Sequence, residues 1–288
     1  MTDSLLNIYK QQIADFYSRR SHNYDESNWH YQIACRLVKY AQINSGQSVL
    51  DIATGTGMVA LEAAKFVNTQ GRVIGVDISE GMLTKAQNKA KALNLKNVEF
   101  ILADAENINF PSNSFVRATH GPEGDHVLCA SALIWMTDII AALRLWGQFL
   151  KPNGIIGIHV FADTAFVGSN ILQNIVEKYG ISLTFSKPTG TMEKCQKLLT
   201  DAGFELLEIK TEQDGSYISL EEAKKMWAIN GTPAPGQFPH PLSQLSWAQQ
   251  EQIHQEFDMA MEALVTDKGI WNDITTFFIL GRRSPVDF

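Results

Sequence analysis

The chain has 288 residues, 45% of them hydrophobic and 19% charged, with a formal net charge of −7. That length can bury a full hydrophobic core, as one large domain or two small ones. The acidic balance, with no run of five or more Lys/Arg, excludes a broad phosphate-binding surface and points to small-molecule partners rather than nucleic acid.

Cys35, Cys129 and Cys195 are isolated and odd in number, so neither a metal site nor a disulfide framework is expected. Met1 to Arg20 mixes polar and apolar residues at helical spacing and has no continuous apolar core, unlike a signal peptide. No stretch approaches the ~18 apolar residues that span a membrane. The expected location is cytoplasmic, with no membrane span.

From the N-terminal helical segment onward, short β-branched runs alternate with longer amphipathic stretches, the pattern of parallel βαβ units. Ser48–Ile52 reads as a first buried strand and Met58–Val67 as the helix after it. Val73–Val76 is a second strand, followed by a helix from about Glu80 to Leu93. Val98–Leu102 is a third strand and, after a long polar loop, Val127–Ser131 a fourth. Thr137–Leu150 is a helix stopped by Lys151-Pro152-Asn153-Gly154, since Pro and Gly cannot continue it. Ile155–Phe161 is the fifth strand. Helices follow at Ala165–Tyr179 and Met192–Ala202, then a sixth strand at Glu205–Thr211 and a last one at Trp271–Leu280. Between those two, helices at about Leu220–Ala228 and Trp247–Thr266 flank a Pro/Gly-rich loop, Gly231 to Pro241.

The strongest local signal is Asp51-Ile52-Ala53-Thr54-Gly55-Thr56-Gly57, where a buried strand turns through glycines directly into a helix. Gly55 and Gly57 permit φ > 0 and close approach of a ligand to the backbone. With Ala60 they fit a nicotinamide-binding turn equally well. Asp77 ends the second strand, where a carboxylate accepts from ribose hydroxyls, a feature that also fits NAD. Asp51 is placed to meet the ammonium of an amino-acid-like ligand, directly or through water. Asp104, beyond the third strand, suits an adenine amino group, with the Ala105 N–H meeting a ring nitrogen. Acids at successive strand ends, together with the Gly turn, favour a ligand in the crevice at the carboxyl edge of the sheet.

Asp51-Ile-Ala-Thr-Gly-Thr-Gly57, Val76-Asp77-Ile78-Ser79 with Gly81-Met82-Leu83, Ala103-Asp104-Ala105-Glu106 and Leu150-Lys-Pro-Asn-Gly154 resemble the successive motifs of class I S-adenosylmethionine-dependent methyltransferases. The likeness is nearest to the ubiquinone/menaquinone-biosynthesis group, whose N-terminal element is similar to Tyr17-x-x-Arg20-Ser21-x-x-Tyr24-Asp25. It is specific from about residue 15 to 161. The resemblance implies an α/β fold: a doubly wound, mostly parallel seven-stranded Rossmann-like sheet with an N-terminal helical cover. If the sixth and last strands pair, Gly215–Ile270 is a helical insertion between the last two strands, placed as a lid over the sheet edge. The corresponding division is 1–45 cover, 46–214 cofactor-binding core, 215–270 helical lid and 271–288 last strand.

The resemblance further implies that Gly55, Gly57, Asp77, Met82, Asp104 and Ala105 contact S-adenosylmethionine, with Tyr24 closing over it. Asp51, Ala53, Ile78 and Ser131 complete the expected cofactor set, and S-adenosylhomocysteine is the product. One departure is a loop insertion of about nine residues at 116–124, read from its turn residues Gly121, Pro122 and Gly124.

The expected reaction is in-line methyl transfer to a hydrophobic or aromatic small-molecule acceptor through an oxygen, nitrogen or carbon nucleophile. A nucleophile that arrives protonated needs a general base. His159, His30 and His240 are the candidates, and His159 in the fifth strand is the best placed. Tyr17, Trp29, His30, Trp135, Phe161 and His240 are the expected acceptor pocket. The Asn/Asp-Pro-Pro-Tyr/Phe and Pro-Cys motifs of nucleic-acid methylases are absent. An NAD-linked oxidoreductase and a non-catalytic cofactor-binding module remain as alternatives.

Overall fold

β1 (Ser48–Ile52) is buried at all five positions. A central parallel strand covered on both faces needs a continuous apolar run, and Val49, Leu50 and Ile52 supply it. Structure is described, from a computed structural model, for residues 3–108, 126–181, 183, 188–229, 242 and 245–283. The insertion expected at 116–124, the Gly231–Pro241 loop and His240 lie outside the described residues.

β1 pairs in parallel with β2 (Arg72–Asp77) on one side and with β4 (His126–Ala130) on the other. β3 (Val98–Leu102) pairs with β2, and β5 (Ile155–Phe161) with β4, also in parallel. The sheet is completed by β9 (Thr275–Arg283) and β6 (Phe204–Gln213), in the order β3-β2-β1-β4-β5-β9-β6. Arg283 N–H donates to Gly154 O before β5, and Ala162 N–H after β5 donates to Thr275 O. Opposite ends therefore meet, and β9 runs antiparallel to β5. The chain winds outward from β1 to β3 and then returns to place β4 beside β1. Strand order thus reverses between β1 and β4, where open α/β sheets bind ligands.

Sequence signals account for the helix ends. α3 (Met58–Val67) begins at Gly57, whose φ is 83°. α4 (Glu80–Ala92) is capped by Ser79, whose hydroxyl accepts from Met82 N–H. α5 (Ile139–Gln148) starts two residues later than its apolar pattern, because Asp138 is its N-cap and Thr137 bonds Glu106 instead. At the N-terminus lie α1 (Asp3–Arg20) and α2 (Trp29–Tyr40).

The run expected as one last strand divides in two. β8 (Ile270–Asn272) pairs with β7 (Ser216–Ile218) in a separate antiparallel ribbon, and β9 starts only at Thr275. Asp273 makes the break: its carboxylate accepts from the Thr164, Gln213 and Thr275 side chains, and its carbonyl from Phe166 N–H.

By backbone proximity the chain divides into one unit of residues 1–160, 195–210 and 278–288 and another of 161–194 and 211–277. The first holds most of the sheet, with Leu37, Leu50, Leu128, Leu143 and Trp146 in its core. The second has its own core, where α6 (Val167–Glu177), α8 (Leu220–Ile229) and α9 (Trp247–Glu262) pack through Leu172, Val176, Ala223, Ile253, Phe257 and Met261. α7 (Met192–Asp201) precedes β6. Among the described residues no helix is long and apolar enough to cross a membrane.

The two glycines of the β1–α3 turn differ in what surrounds them. A Cβ at Gly57 would lie 2.9 Å from Ala86 Cβ and 3.0 Å from Phe100, whereas one at Gly55 meets nothing within 4 Å. Gly55→Ala should cost about 1–2 kcal/mol, the left-handed penalty alone. Gly57→Ala should cost about 1–3 kcal/mol more through overpacking. Urea denaturation of both variants checks the order, and equal losses would contradict it.

Candidate functional site

The turn after β1 takes left-handed backbone at alternate residues: Ala53 (φ 52°), Gly55 (56°) and Gly57 (83°). Ala53 pays a steric penalty there of about 1–2 kcal/mol, so its surroundings must enforce it. Thr54 N–H donates to Val76 O and Gly57 N–H to Thr54 O, at 2.8 and 2.9 Å. Gly55 N–H donates to Asp77 Oδ2 at 2.8 Å. Asp77 Oδ1 accepts Ser79 N–H at the same distance. Burial pushes the Asp77 carboxyl up to about 6, while these N–H groups hold it down.

Asp51 does not reach a ligand position. Its Oδ2 accepts the Thr54 hydroxyl and Ala60 N–H, tying the turn to the first residues of α3, and it is 1% exposed. Burial raises it to about 7, against the two hydrogen bonds, with a smaller contribution from the Asp77 charge. The expected direct contact with an ammonium group is therefore corrected: this carboxylate serves the turn itself.

Beyond the carboxyl ends of β1 to β4 lies a cleft of about 740 Å³, part of it open to solvent. Of the expected cofactor residues, Tyr24, Ala53, Gly55, Asp77, Ile78, Met82, Asp104, Ala105 and Ser131 line it, and Asp51 and Gly57 do not. Tyr17 and Trp135, expected for the acceptor, line the same cleft. Ala105 O accepts Trp146 Nε1–H at 2.8 Å, while among the described residues its own N–H meets no acceptor.

α1 forms a wall of the cleft. Tyr9, Ile13 and Tyr17 recur at four-residue spacing on one helix face, with Lys10 beside them, and all four line the space. The segment is tied down along its length. Tyr9 Oη–H donates to Trp135 O at 3.2 Å, and Ser18 Oγ lies 2.9 Å from Ser79 Oγ. Asp25 accepts from the Thr56 hydroxyl and from Lys89, at 2.6 and 2.8 Å. Tyr24 stacks on His30 at 4.4 Å and faces Tyr17, whose ring meets Trp135 edge-on. Burial raises the phenols of Tyr9, Tyr17 and Tyr24, the last to about 12, so all three remain hydrogen-bond donors at neutral pH.

Several expected residues lie elsewhere. His159 is fully buried behind Ser131: its Nδ1 is 2.8 Å from Ser131 Oγ, and its carbonyl accepts Ser131 N–H. Its ring packs on Phe278, and burial, then the charges of Arg36 and His30, push it down to about 3. A neutral ring with no face on the cleft cannot take a proton from an acceptor by contact, which corrects the expected general base. Ser131 itself is held at φ 59°. His30 and Trp29 pack against one another outside the lining. Phe161 packs on Phe166 and is 9% exposed. His240 lies outside the described residues. Lining residues missed by sequence reasoning include Tyr9, Lys10, Ile13, Glu106, Ala132 and Met136. The Tyr9–Ile13–Tyr17 spacing was a usable signal, whereas nothing local marked Lys10.

Residues 43–203 match the family model described as Methyltransferase domain. The chain is 31% identical over 148 residues to the aklanonic acid methyltransferase DauC of Streptomyces sp. (strain C5), covering 51% of this chain and 63% of that protein. It is also 31% identical over 153 residues to a demethylmenaquinone methyltransferase of Staphylococcus saprophyticus, covering 51% and 61%. The matched segment thus spans about six-tenths of these relatives' length. Among solved structures, the [4+2]-cyclase SpnF matches with a TM-score of 0.57 and 18% identity over 96% of this chain and 97% of that one. That likeness concerns the fold, which does not by itself set the reaction.

The raised Asp51 carboxyl has a consequence for stability. A carboxyl raised from 3.8 to about 7 in the folded state favours folding at acid pH, and that contribution is lost as pH climbs through about 7. Asp51→Asn retains an oxygen to accept from Thr54 and Ala60 without a charge. Its stability relative to wild type should rise by about 2–4 kcal/mol between pH 4 and pH 8. Denaturant midpoints at the two pH values provide the check, and a pH-independent difference would contradict the assignment.

Proposed function

Because the chain belongs to the Methyltransferase domain family, we propose that it transfers a methyl group from S-adenosylmethionine to a small, hydrophobic or aromatic acceptor. One observation carries the reading: residues from four successive strand ends (Gly55, Asp77, Asp104–Ala105 and Ser131) converge on one cleft at the point where strand order reverses.

The residues present fit that cofactor. Asp77 has carboxylate lone pairs facing the cleft to accept from ribose hydroxyls. Asp104 and the Ala105 N–H, which meets no acceptor among the described residues, offer the acceptor–donor pair that an adenine edge requires. Gly55 lines the cleft with no side chain, and open space lies where its Cβ would stand. Met82 and Ile78 supply apolar surface, and Tyr24 closes the side toward α2. Bound there, the cofactor supplies an electrophilic methyl group on a sulfonium.

The protein's own contribution is alignment and exclusion of water, which can account for much of the acceleration of an in-line displacement. α1 walls the cleft, and Tyr17 and Tyr24, which line it, keep protonated hydroxyls available as donors to a ligand. Ser131, held in its left-handed conformation by His159, presents a fixed polar group at the β4 edge. The names of the relatives, one acting on an aklanonic acid and one on a demethylmenaquinone, support an acceptor of polycyclic or quinone type.

Calorimetry with S-adenosylmethionine, S-adenosylhomocysteine and NAD tests the cofactor. The two sulfur compounds should bind and NAD should not; the reverse would sink the proposal. Asp77→Ala should weaken S-adenosylhomocysteine by about 1–3 kcal/mol. Ribose recognition needs the ionised carboxylate, so wild-type affinity should be flat above about pH 7 and fall as pH drops below about 6, where Asp77 takes up a proton. Transfer of labelled methyl groups to a panel of quinols, phenols and aromatic acids then identifies the acceptor class.

A further inference from the structure

Asp104, the acid assigned to the adenine end of the proposed cofactor site, does not stand alone, and the role of its partner Lys10 rests on that assignment. Asp104 Oδ1 accepts Glu106 N–H at 3.0 Å, and its Oδ2 is paired with the ammonium of Lys10. The same ammonium lies 3.2 Å from Glu106 Oε2. Two carboxylates two residues apart thus share one cation, and all three residues line the cleft. The side chains are 28%, 12% and 17% exposed for Asp104, Glu106 and Lys10, so solvent screens their charges only in part.

The two acids differ in freedom. Glu106 is fixed, because its Oε1 accepts Thr137 N–H, the Thr137 hydroxyl and Asp138 N–H at 2.7–2.9 Å, at the start of α5. Among the described residues the Asp104 carboxylate accepts one backbone N–H, that of Glu106, besides the Lys10 ammonium. Without the cation, two like charges would face each other, and Asp104 is the one that can turn away. Lys10 belongs to α1, whose neighbouring Tyr9 bonds Trp135 O. The ion pairs therefore also hold this wall of the cleft against the loop after β3.

We propose that Lys10 is a positioning residue of the cofactor site: its ammonium balances Asp104 and Glu106 together, fixes the Asp104 carboxylate at the adenine end, and holds α1 against that end. It acts through Asp104 and not on the reacting atoms.

The test measures affinity and dissociation rate of S-adenosylhomocysteine on the full chain. Lys10→Met should dissociate about tenfold faster or more, the scale of a lost partly buried ion pair. Lys10→Arg, which keeps the charge, should remain within about threefold of wild type. The wild-type rate should rise with ionic strength and that of Lys10→Met should not. The decisive variant is Lys10→Met combined with Glu106→Gln, which removes the second negative charge while leaving an oxygen for Thr137 and Asp138. This double variant should bind more tightly than Lys10→Met alone, a recovery that a merely structural role for Lys10 would not produce. An unchanged dissociation rate in Lys10→Met, or a double variant no better than the single one, overturns the inference while leaving the cofactor assignment intact. Failure of the wild-type chain to bind S-adenosylhomocysteine overturns both.

Discussion

The hydrogen bond from Gly55 N–H to the buried carboxylate of Asp77 joins the turn after β1 to the end of β2. The cleft takes its shape from that join. It depends on an expensive arrangement, because Asp77 and Asp51 sit nearly out of water on adjacent strands and both have raised pKa values. Each carboxylate takes one hydrogen bond from the turn, Asp77 from Gly55 N–H and Asp51 from the Thr54 hydroxyl, so the turn's left-handed conformation helps offset the cost of their burial. Ala53 in that conformation is backbone strain at a site, an observed outlier from which a function is reasonably inferred.

The N-terminal segment depends in turn on the same loops. Its ties run from Lys10 to the loop after β3, from Ser18 to the cap of α4, and from Asp25 to the Gly turn and α4. Apart from the Asp25–Lys89 pair, each tie ends on, or next to, a residue proposed to hold the cofactor. If a ligand fills the cleft in contact with these loops and binds more tightly when α1 is seated, then a seated α1 favours the ligand to the same degree that the ligand favours it.

The sequence was most readable where one physical demand dominates. Ser48–Ile52, Val98–Leu102 and Ile155–Phe161 occur as strands within the bounds that their apolar runs marked, and Met58–Val67 as the helix. Parallel strands under helices leave little choice of pattern. The pattern is silent where a polar residue's partner decides its role. Asp51 and His159 lie in strands, and alternation does not say whether a carboxylate will find a ligand or the hydroxyl of Thr54, or whether an imidazole will face the cleft or lie behind Ser131. Lys10 finds its acid partner 94 residues away, a pairing no local spacing encodes. The apolar run from Trp271 reads as the last strand, but Asp273 is the hydrogen-bonding hub that separates the ribbon from the sheet.

A fold shared with a [4+2]-cyclase cannot carry the chemistry, so the account stands on the cleft and on which group meets which acid. The most direct measurement is a crystal structure of the chain with S-adenosylhomocysteine. The account predicts ribose hydroxyls on Asp77 and the adenine edge between Asp104 and the Ala105 N–H, with α1 seated and Lys10 still paired to Asp104. A nucleoside bound elsewhere, or one whose ribose makes no contact with Asp77, would contradict it.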